Sequence, residues 1–493
     1  MDTQKRPNIL WICTDQQRFD TLGCYGNKFV KTPNIDRLAA SGVRFTNAYC
    51  QAPVCAPSRA SMLTGRYPRI CRVRNNGQDI PKEEILVTRL LHDNGYACGL
   101  SGKLHISACH PKIYPMEERR INDGYDFFAW SHDSNTKGGH AMNRFAMWLR
   151  SEGVETVRPV REDCKYAHDG MPAKYRQSAY GTAQAIEFME SARTQGMPFM
   201  FSVNYLDPHH PFDAPREYIE RYMDMLDDLP VPNYALGELA NKTAIQQSEH
   251  LGAYGKKGHF AYDEMTEYDH KLLCASYYAL CDILDEEIGK LLDYLETSGQ
   301  IEDTIIIFHS DHGESLGDHG MYLKAAYFYE ASVRVPLIIS WKDHFLSGAV
   351  ANGLVELLDI APTLLDVCGL APEYGMQGRS LLPLLCGEAP LDVFREDVYC
   401  ELCKDAYKTG EKTYASMLFD GRYKLVRVSA LPEELAAMDA VRGELYDLAT
   451  DPTETHNLYE DPDYIELRVR MLEKLCDRQC RMCDPIPKPT APY

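Results

Sequence analysis

Short apolar runs that end abruptly in polar residues constrain the fold of this chain more than any other feature of its sequence. Residues 8–13 are followed by a Thr-Asp pair, and residues 304–309 by a Ser-Asp pair. Runs of this length predict strands that are buried on both faces. Helix-like segments, such as 180–195 and 264–296, lie between the predicted strands. This alternation predicts an α/β fold with a mainly parallel sheet between layers of helices.

Polar side chains follow four of the predicted strands directly: Asp15, Lys103, Asp207 and Asp311. Ligands of such sheets bind beyond the carboxyl ends of the strands. We therefore expect these four residues to meet at one edge of the sheet and to mark an active site there.

The character of the chain changes near residue 386. Residues 1–385 are expected to form a catalytic domain, in which 109–170 has no clear period and is interpreted as an insertion over the site. Residues 386–493 are expected to form a smaller α+β subdomain with an antiparallel sheet. Its predicted strands are 398–402, 414–419, 423–428 and 444–448, and a helix is predicted near 464–477.

The composition excludes several classes of protein. Hydrophobic residues are 45% and charged residues 25% of the 493-residue chain, as in folded soluble proteins. The net charge of −20 makes nucleic acid an unfavourable partner, although a local basic pocket can still bind an anionic substrate. The N-terminal apolar run is too short for a secretory leader, and no run is long enough to span a membrane. The prediction is a cytoplasmic enzyme whose 17 scattered cysteines are reduced thiols.

The most specific string in the sequence begins at Cys55 and reads Cys-Ala-Pro-Ser-Arg, followed by Thr64-Gly65-Arg66. It places a cysteine at the start of a predicted helix over 57–63, where the helix dipole favours negative charge. Arg59, one turn further on, faces the same side. Taken alone, the string is equally typical of a buried structural cysteine beside a capping segment.

Together with five further motifs, this string resembles the type I (formylglycine-dependent) sulfatase family of the alkaline phosphatase superfamily. The resemblance extends over nearly the whole chain and implies an alkaline-phosphatase-like fold. The other motifs, in order, are the first strand with Asp15, Gly102-Lys103-Leu104-His105, Pro208-His209-His210-Pro211, Ser310-Asp311-His312-Gly313 with Lys324 downstream, and the closing segment Glu444–Leu448.

The resemblance implies a role for each matching residue. A maturation enzyme would oxidise Cys55 to formylglycine, whose hydrate is the nucleophile of the family. His209 would be the acid for the leaving alcohol, and His105 the base that expels sulfate. One divalent cation would be held by Asp15, Gln16, residue 55, Asp311 and His312. The residue chemistry agrees, because hard oxygen ligands suit Ca²⁺ first, with Mn²⁺ or Mg²⁺ open, and Arg59, Lys103 and Lys324 suit the charged sulfate oxygens.

Two positions depart from the commonest pattern of the family. Gln16 and His312 stand where many relatives carry an aspartate and an asparagine. Both substitutions look like those of phosphonate monoester hydrolases and choline sulfatases, so a phosphonate monoester or phosphodiester remains the alternative substrate. The pair Lys103 and His105 favours a sulfatase. A non-catalytic sulfate-binding relative is disfavoured, because every expected catalytic residue type is present.

Other features of the sequence leave alternatives open. Asn76 falls where relatives often contact the transferred group, and it fits an ordinary turn equally well. The natural substrate, by default a sulfated sugar, and the oligomeric state are not fixed by the sequence. Cys400 and Cys403 could be half of a metal site, but no matching pair stands at zinc-ribbon spacing. Cys476, Cys480 and Cys483 have the three-cysteine spacing of an iron–sulfur site, but they lie on a predicted terminal helix and tail without a cofactor fold around them. In the insertion, the candidate substrate contacts, for which a packed lid is the simpler interpretation, are Trp130, His132, His140, Arg144 and Trp148.

Overall fold

Two β-sheets organise the chain in the computed structural model, which describes residues 6–133, 139–406, 411–438 and 440–488. Within these residues the larger sheet has nine strands in the order β4-β3-β5-β1-β6-β7-β2-β8, and β9 also pairs with β2. The strands are β1 (Asn8–Asp15), β2 (Val43–Tyr49), β3 (Ala97–Gly102), β4 (Phe127–Trp130), β5 (Phe199–Pro208), β6 (Thr304–Ser310), β7 (Arg334–Ser340), β8 (Ala349–Ala351) and β9 (Val355–Glu356).

The larger sheet is mainly parallel, as the sequence predicts. Strands β4, β3, β5, β1 and β6 pair in parallel with one another in this order. Strand β7 pairs antiparallel with both β6 and β2, and is therefore reversed relative to the rest of the sheet. An apolar run buried on both faces carries no mark of its direction, so this reversal is invisible in the sequence.

Helices cover both faces of the sheet because its central strands are apolar on both sides. In β1, Ile9 and Trp11 pack into one hydrophobic cluster with α2, α4 and α11, whereas Leu10 and Ile12 pack into another with α1, α6 and α9. The helices are α1 (Pro33–Ala40), α2 (Cys55–Thr64), α3 (Pro68–Cys71), α4 (Val87–Asp93), α5 (Arg144–Ser151), α6 (Gln177–Gln195), α7 (Arg216–Met223), α8 (Ala244–His250), α9 (Glu267–Thr297), α10 (Glu330–Val333), α11 (Ile360–Val367), α12 (Leu382–Leu385), α13 (Glu433–Ala436) and α14 (Ile465–Arg481). Among the described residues, none of the helices is long and apolar enough to cross a membrane.

The C-terminal residues form the predicted antiparallel sheet and its helix. Four strands pair in chain order. One face of the sheet packs against α14, and the other joins the hydrophobic cluster on one face of the larger sheet. The subdomain therefore shares its core with the larger sheet. Its strands are β10 (Val398–Ala406), β11 (Glu411–Phe419), β12 (Tyr423–Ala430) and β13 (Gly443–Asp447).

The segment 109–170 is partly core. It supplies β4, which pairs with β3 at the sheet edge, and α5. Trp130 on β4 is fully buried, and its Nε1 donates a hydrogen bond of 2.9 Å to Glu118. The interpretation of Trp130 as a substrate contact is therefore wrong, because its side chain is packed in the interior.

A buried lysine ties the C-terminal subdomain to the loop before α10. The ammonium of Lys424 on β12 lies 2.7 Å from Glu330 and 2.7 Å from Glu454, and it donates to the carbonyl of Phe328 at 3.1 Å. The Lys424 side chain is completely buried. Removing this ammonium leaves the buried carboxylate of Glu454 without its ion-pair partner and leaves Glu330 only Arg334, at 3.4 Å.

We predict that Lys424→Ala lowers the free energy of unfolding by about 3–5 kcal/mol, because two carboxylates lose their buried cation. The matched control is Lys474→Ala, whose half-exposed ammonium lies 2.8 Å from Asp420 and should cost less than about 1 kcal/mol. Denaturant unfolding of both variants compares them directly. Equal losses of stability would contradict this account of Lys424.

Candidate active site

The carboxyl ends of three parallel strands, β3, β1 and β6, bring charged residues to one edge of the sheet. Asp15 ends β1, Lys103 follows β3, and Asp311 follows β6. Asp207, the fourth residue expected there, instead lies 2.5 Å from the buried guanidinium of Arg176. Asp207 therefore belongs to a structural ion pair beside the site.

Strand β2, which was not predicted from the sequence, leads the chain to the same edge. It runs in the same direction as β1, and α2 begins shortly after it with Cys55 as the first residue. All ten residues of α2 are buried. Asn76 caps this helix, since its side-chain oxygen accepts a hydrogen bond of 2.9 Å from the backbone N–H of Ala56.

Cys55 lies at the centre of a buried group of opposite charges. Its Sγ is 3.1 Å from Nε2 of His312, 3.2 Å from Nζ of Lys324 and 3.6 Å from Oδ1 of Asp15. Burial alone raises the pKa of the Cys55 thiol, but Lys103 and Lys324 outweigh it and hold that pKa well below its usual range. The position thus favours a negatively charged group.

Arg59 binds the two aspartates of the site together. Its Nε donates to Asp311 at 2.7 Å, and its Nη2 lies 3.5 Å from Asp15. The remaining Nη1 donates to the carbonyl of Lys103 at 2.7 Å. All three charged groups of this network are fully buried, so none can be lost without leaving an unpaired charge.

The two lysines beside Cys55 have different partners. Lys103 forms an ion pair with Asp15, and Lys324 donates to the amide oxygen of Gln16. Burial raises the pKa of the Asp15 carboxyl, but the surrounding cations, Lys103 foremost, hold it well below its usual range. Asp15 is therefore a carboxylate.

Donor atoms suitable for a cation converge at this point. One atom each from Asp15, Cys55, Asp311 and His312 lies within 4.8 Å of the other three. His312 turns Nε2 toward the group because its Nδ1 hydrogen-bonds the carbonyl of Gly313 at 2.8 Å. Two carboxylates with one imidazole form a donor set that fits a divalent cation.

Two histidines reach Cys55 from loops beyond the strands. The imidazoles of His105 and His209 both lie close enough to Cys55 for it to act on their pKa values. Burial lowers the pKa of both imidazoles, and it is reinforced by Lys103 at His105 and by Lys324 at His209. Both rings are therefore neutral near pH 7.

Two carboxylates that hold the site in place are not singled out by sequence reasoning. Glu314 is fully buried and accepts a hydrogen bond from Gln16. Glu118 accepts from the backbone N–H of His105 at 2.8 Å and fixes the loop after β3. Glu314 could have been found from the sequence, because it lies only three residues after Asp311. Glu118 has no such signal, because its backbone partners lie 11–13 residues earlier and Trp130 lies 12 residues later.

Comparison with known proteins agrees with this geometry. The Sulfatase family model matches residues 7–370, and the model "N-sulphoglucosamine sulphohydrolase, C-terminal" matches residues 317–481. An arylsulfatase of Clostridium perfringens is 30% identical, covering 95% of this chain and 93% of its own. The multifunctional alkaline phosphatase superfamily protein PehA of Trinickia caryophylli is 29% identical, covering 94% and 93%. The crystal structure of phosphonate monoester hydrolase from Agrobacterium radiobacter has a TM-score of 0.80 at 28% identity, covering 97% of each chain.

The fold and the buried charged site define a hydrolase of the alkaline phosphatase superfamily. The chain belongs to the sulfatase family. The expected α/β architecture with an antiparallel C-terminal sheet is confirmed.

We predict that Asn76→Ala lowers stability by about 0.5–2 kcal/mol, because α2 loses its cap. Asn76→Asp keeps the acceptor oxygen and should restore most of the loss. Asn75→Ala is the matched control: Asn75 and Asn76 both line one cavity beside the site, and only Asn76 caps α2. Thermal unfolding of the three variants measures the effect. If Asn76→Ala unfolds at the same temperature as the parent, the cap contributes nothing to stability.

Proposed function

We propose that this enzyme hydrolyses sulfate monoesters of carbohydrates, with Cys55 oxidised to formylglycine by a maturation enzyme. The observation that carries the proposal is the surroundings of Cys55. Its side chain lies within reach of three cations and two neutral histidines, in a site closed by buried ion pairs. As the hydrated aldehyde, residue 55 supplies a nucleophilic oxygen for the sulfur atom.

Three cations serve the anionic group of the substrate. Arg59 is held rigidly by its carboxylate partners, and the ammonium groups of Lys103 and Lys324 both act on Cys55. The non-bridging oxygens of a sulfate monoester share one negative charge. Further negative charge develops on the leaving oxygen during hydrolysis. Preorganised cations in a buried site stabilise that charge without further reorganisation.

Asp15, Asp311 and His312 would hold one divalent cation, for which the two carboxylates favour Ca²⁺, with Mn²⁺ or Mg²⁺ as alternatives. When bound, such an ion polarises sulfate oxygens as a Lewis acid. We place Gln16 at the margin of this set. Its amide oxygen accepts from Lys324, so it would be shared between the lysine and the ion.

The histidines would move the protons of the reaction. His105, neutral at rest, can accept a proton from the hydroxyl group at position 55 when sulfate is released. His209 would hold a proton for the leaving alcohol. Since burial and Lys324 lower the pKa of His209, it takes up this proton only at acidic pH or when the negative charge of the substrate compensates for Lys324.

A polar cavity outside the site supports a carbohydrate substrate. It has a volume of about 440 Å³ and extends from Val54 and Lys324 to the C-terminal subdomain. Amide, ammonium and hydroxyl groups suit the many hydroxyl groups of a sugar. The match of the C-terminal region to a sulphoglucosamine sulphohydrolase model supports the same class. The polar residues of the wall include Asn75, Asn76, Ser248, Glu249, Lys404 and Thr413.

A phosphonate monoester or phosphodiester hydrolase that uses the same modified residue is the second candidate. Two observations favour it: the similarity to a phosphonate monoester hydrolase structure and the presence of Gln16 and His312. The pair Lys103 and His105 beside Cys55 supports the sulfatase, because it supplies one more cation and a base.

The peptide that contains Cys55 should carry the modification. In protein from a host with the maturation enzyme, residue 55 should lose one sulfur and two hydrogen atoms and gain one oxygen atom, as measured by mass spectrometry. Turnover should scale with the converted fraction across preparations, and Cys55→Ala should be inactive. Full activity with an unmodified thiol would contradict the proposal.

Replacing His209 should affect poor leaving groups most. We predict that His209→Gln lowers kcat for alkyl or sugar sulfates by about 10²–10⁴-fold, because their alkoxides need a proton. For nitrophenyl sulfate, whose phenolate leaves unaided, the loss should be about tenfold at most. In the parent, kcat/KM for sugar sulfates should fall as pH rises through the pKa of His209. Equal losses on both substrates would remove His209 from the role of acid.

The cavity should distinguish sulfated sugars from small aryl sulfates. Lys404→Ala should raise KM for a sulfated disaccharide about fivefold or more, a loss of about 1 kcal/mol, and leave nitrophenyl sulfate unchanged. The control is Lys412→Ala, an exposed lysine on the neighbouring strand that does not line the cavity. No difference between the variants would contradict sugar binding in this cavity.

A further inference from the structure

A second group of metal-binding side chains lies on the outer side of His105. One donor atom each from His105, Cys109 and His132 lies within 4.8 Å of the other two. His105 is 6% exposed, whereas Cys109 and His132 are partly exposed, so the group is reached from the surface. These two residues take no part in the proposed hydrolysis.

One nitrogen atom of each imidazole in this group lacks a partner. Nδ1 of His105 and Nδ1 of His132 are both buried without a hydrogen bond. The two rings meet edge to face with centroids 4.6 Å apart. A buried polar atom without a partner costs free energy, and a ligand that binds both nitrogens would recover it.

Buried neighbours fix the positions of His105 and His132. Glu118 accepts a hydrogen bond from the backbone N–H of His105 at 2.8 Å and another from Trp130 Nε1 at 2.9 Å. The ring of His132 stacks on buried Trp130 at a centroid distance of 6.4 Å. Two of the three ligands are thus held by the same carboxylate and indole.

We propose that His105, Cys109 and His132 form an inhibitory site for a transition-metal cation of the Zn²⁺ type. Two imidazoles and a thiolate are the ligands that Zn²⁺ prefers, in contrast to the carboxylates of the inner site. Tetrahedral coordination places such donor atoms about 3.3–3.8 Å apart, so the group has to close by about 1 Å. The fourth position is left to water.

Binding exchanges a proton for the ion. The thiol of Cys109 loses its proton to solvent as the metal–sulfur bond forms, and no electrons are transferred. A neutral imidazole has one nitrogen with a free lone pair. Once that lone pair of His105 is on the ion, its other nitrogen carries the proton and can only donate. His105 then cannot accept a proton at position 55, and hydrolysis stops.

The inhibitory consequence depends on the proposed role of His105, whereas binding does not, so the test measures the two separately. The background is Ca²⁺-loaded protein with Cys476→Ser, Cys480→Ser and Cys483→Ser, since these exposed thiols would also bind metal. Co²⁺ is the spectroscopic probe. We expect one equivalent with the visible bands of a tetrahedral ion and a thiolate-to-Co²⁺ charge-transfer band.

Two variants assign these bands. Cys109→Ser should remove the charge-transfer band, and His132→Gln should weaken Co²⁺ binding at least about tenfold. Circular dichroism and thermal unfolding without metal check that both remain folded. Absence of the bands from the background protein, or bands of unchanged intensity and affinity in both variants, would overturn the site.

Activity gives the second readout. Zn²⁺ should inhibit hydrolysis of nitrophenyl sulfate by the background protein, and a chelator followed by Ca²⁺ should restore it. Cys109→Ser should keep its activity without Zn²⁺ and need at least about tenfold more Zn²⁺ for half inhibition. Equal inhibition of both proteins would overturn the inhibitory role even if Co²⁺ binds. A protein with no sulfatase activity would refute the proposed function, while the Co²⁺ spectrum would still decide the site.

Discussion

The buried ion pairs of Arg59 set the geometry on which the rest of the site depends. Arg59 joins Asp311, Asp15 and the carbonyl of Lys103, and these three come from the ends of different strands. None of the groups reaches water, so each is stable only while the others are in place. The sheet order, with β3, β5, β1 and β6 side by side, is what brings them together.

The same network also fixes the position of Cys55 at the start of a helix. Arg59 is one turn after Cys55 on α2, so fixing its guanidinium also fixes the first turn. The sheet edge supplies carboxylates and lysines, and α2 supplies Cys55 and its positive helix end. Anion binding and cation binding are thus adjacent functions of one preorganised cluster, which is the arrangement needed to transfer a charged ester group.

Sequence predicts the parts of this arrangement that depend on local chemistry. Asp15 and Asp311 follow apolar runs, and parallel strands must bring their carboxyl ends to one edge. What it misses depends on contacts between distant segments. The direction of β7 is unmarked, and Trp130 is indistinguishable from a surface aromatic until β4 pairs with β3. Asp207 fits the strand-end pattern, but Arg176, 31 residues earlier, takes it into an ion pair.

Comparing the hydrolysis of a sulfate ester with that of a phosphonate ester decides which of the two is the substrate class of this enzyme. The matured enzyme, with Ca²⁺ present, should be assayed on nitrophenyl sulfate and on the nitrophenyl monoester of phenylphosphonate, which share one leaving group. For a sulfatase, kcat/KM for the sulfate should be at least about tenfold higher, which corresponds to about 1.4 kcal/mol of transition-state stabilisation. A higher kcat/KM for the phosphonate would contradict the proposed sulfatase activity.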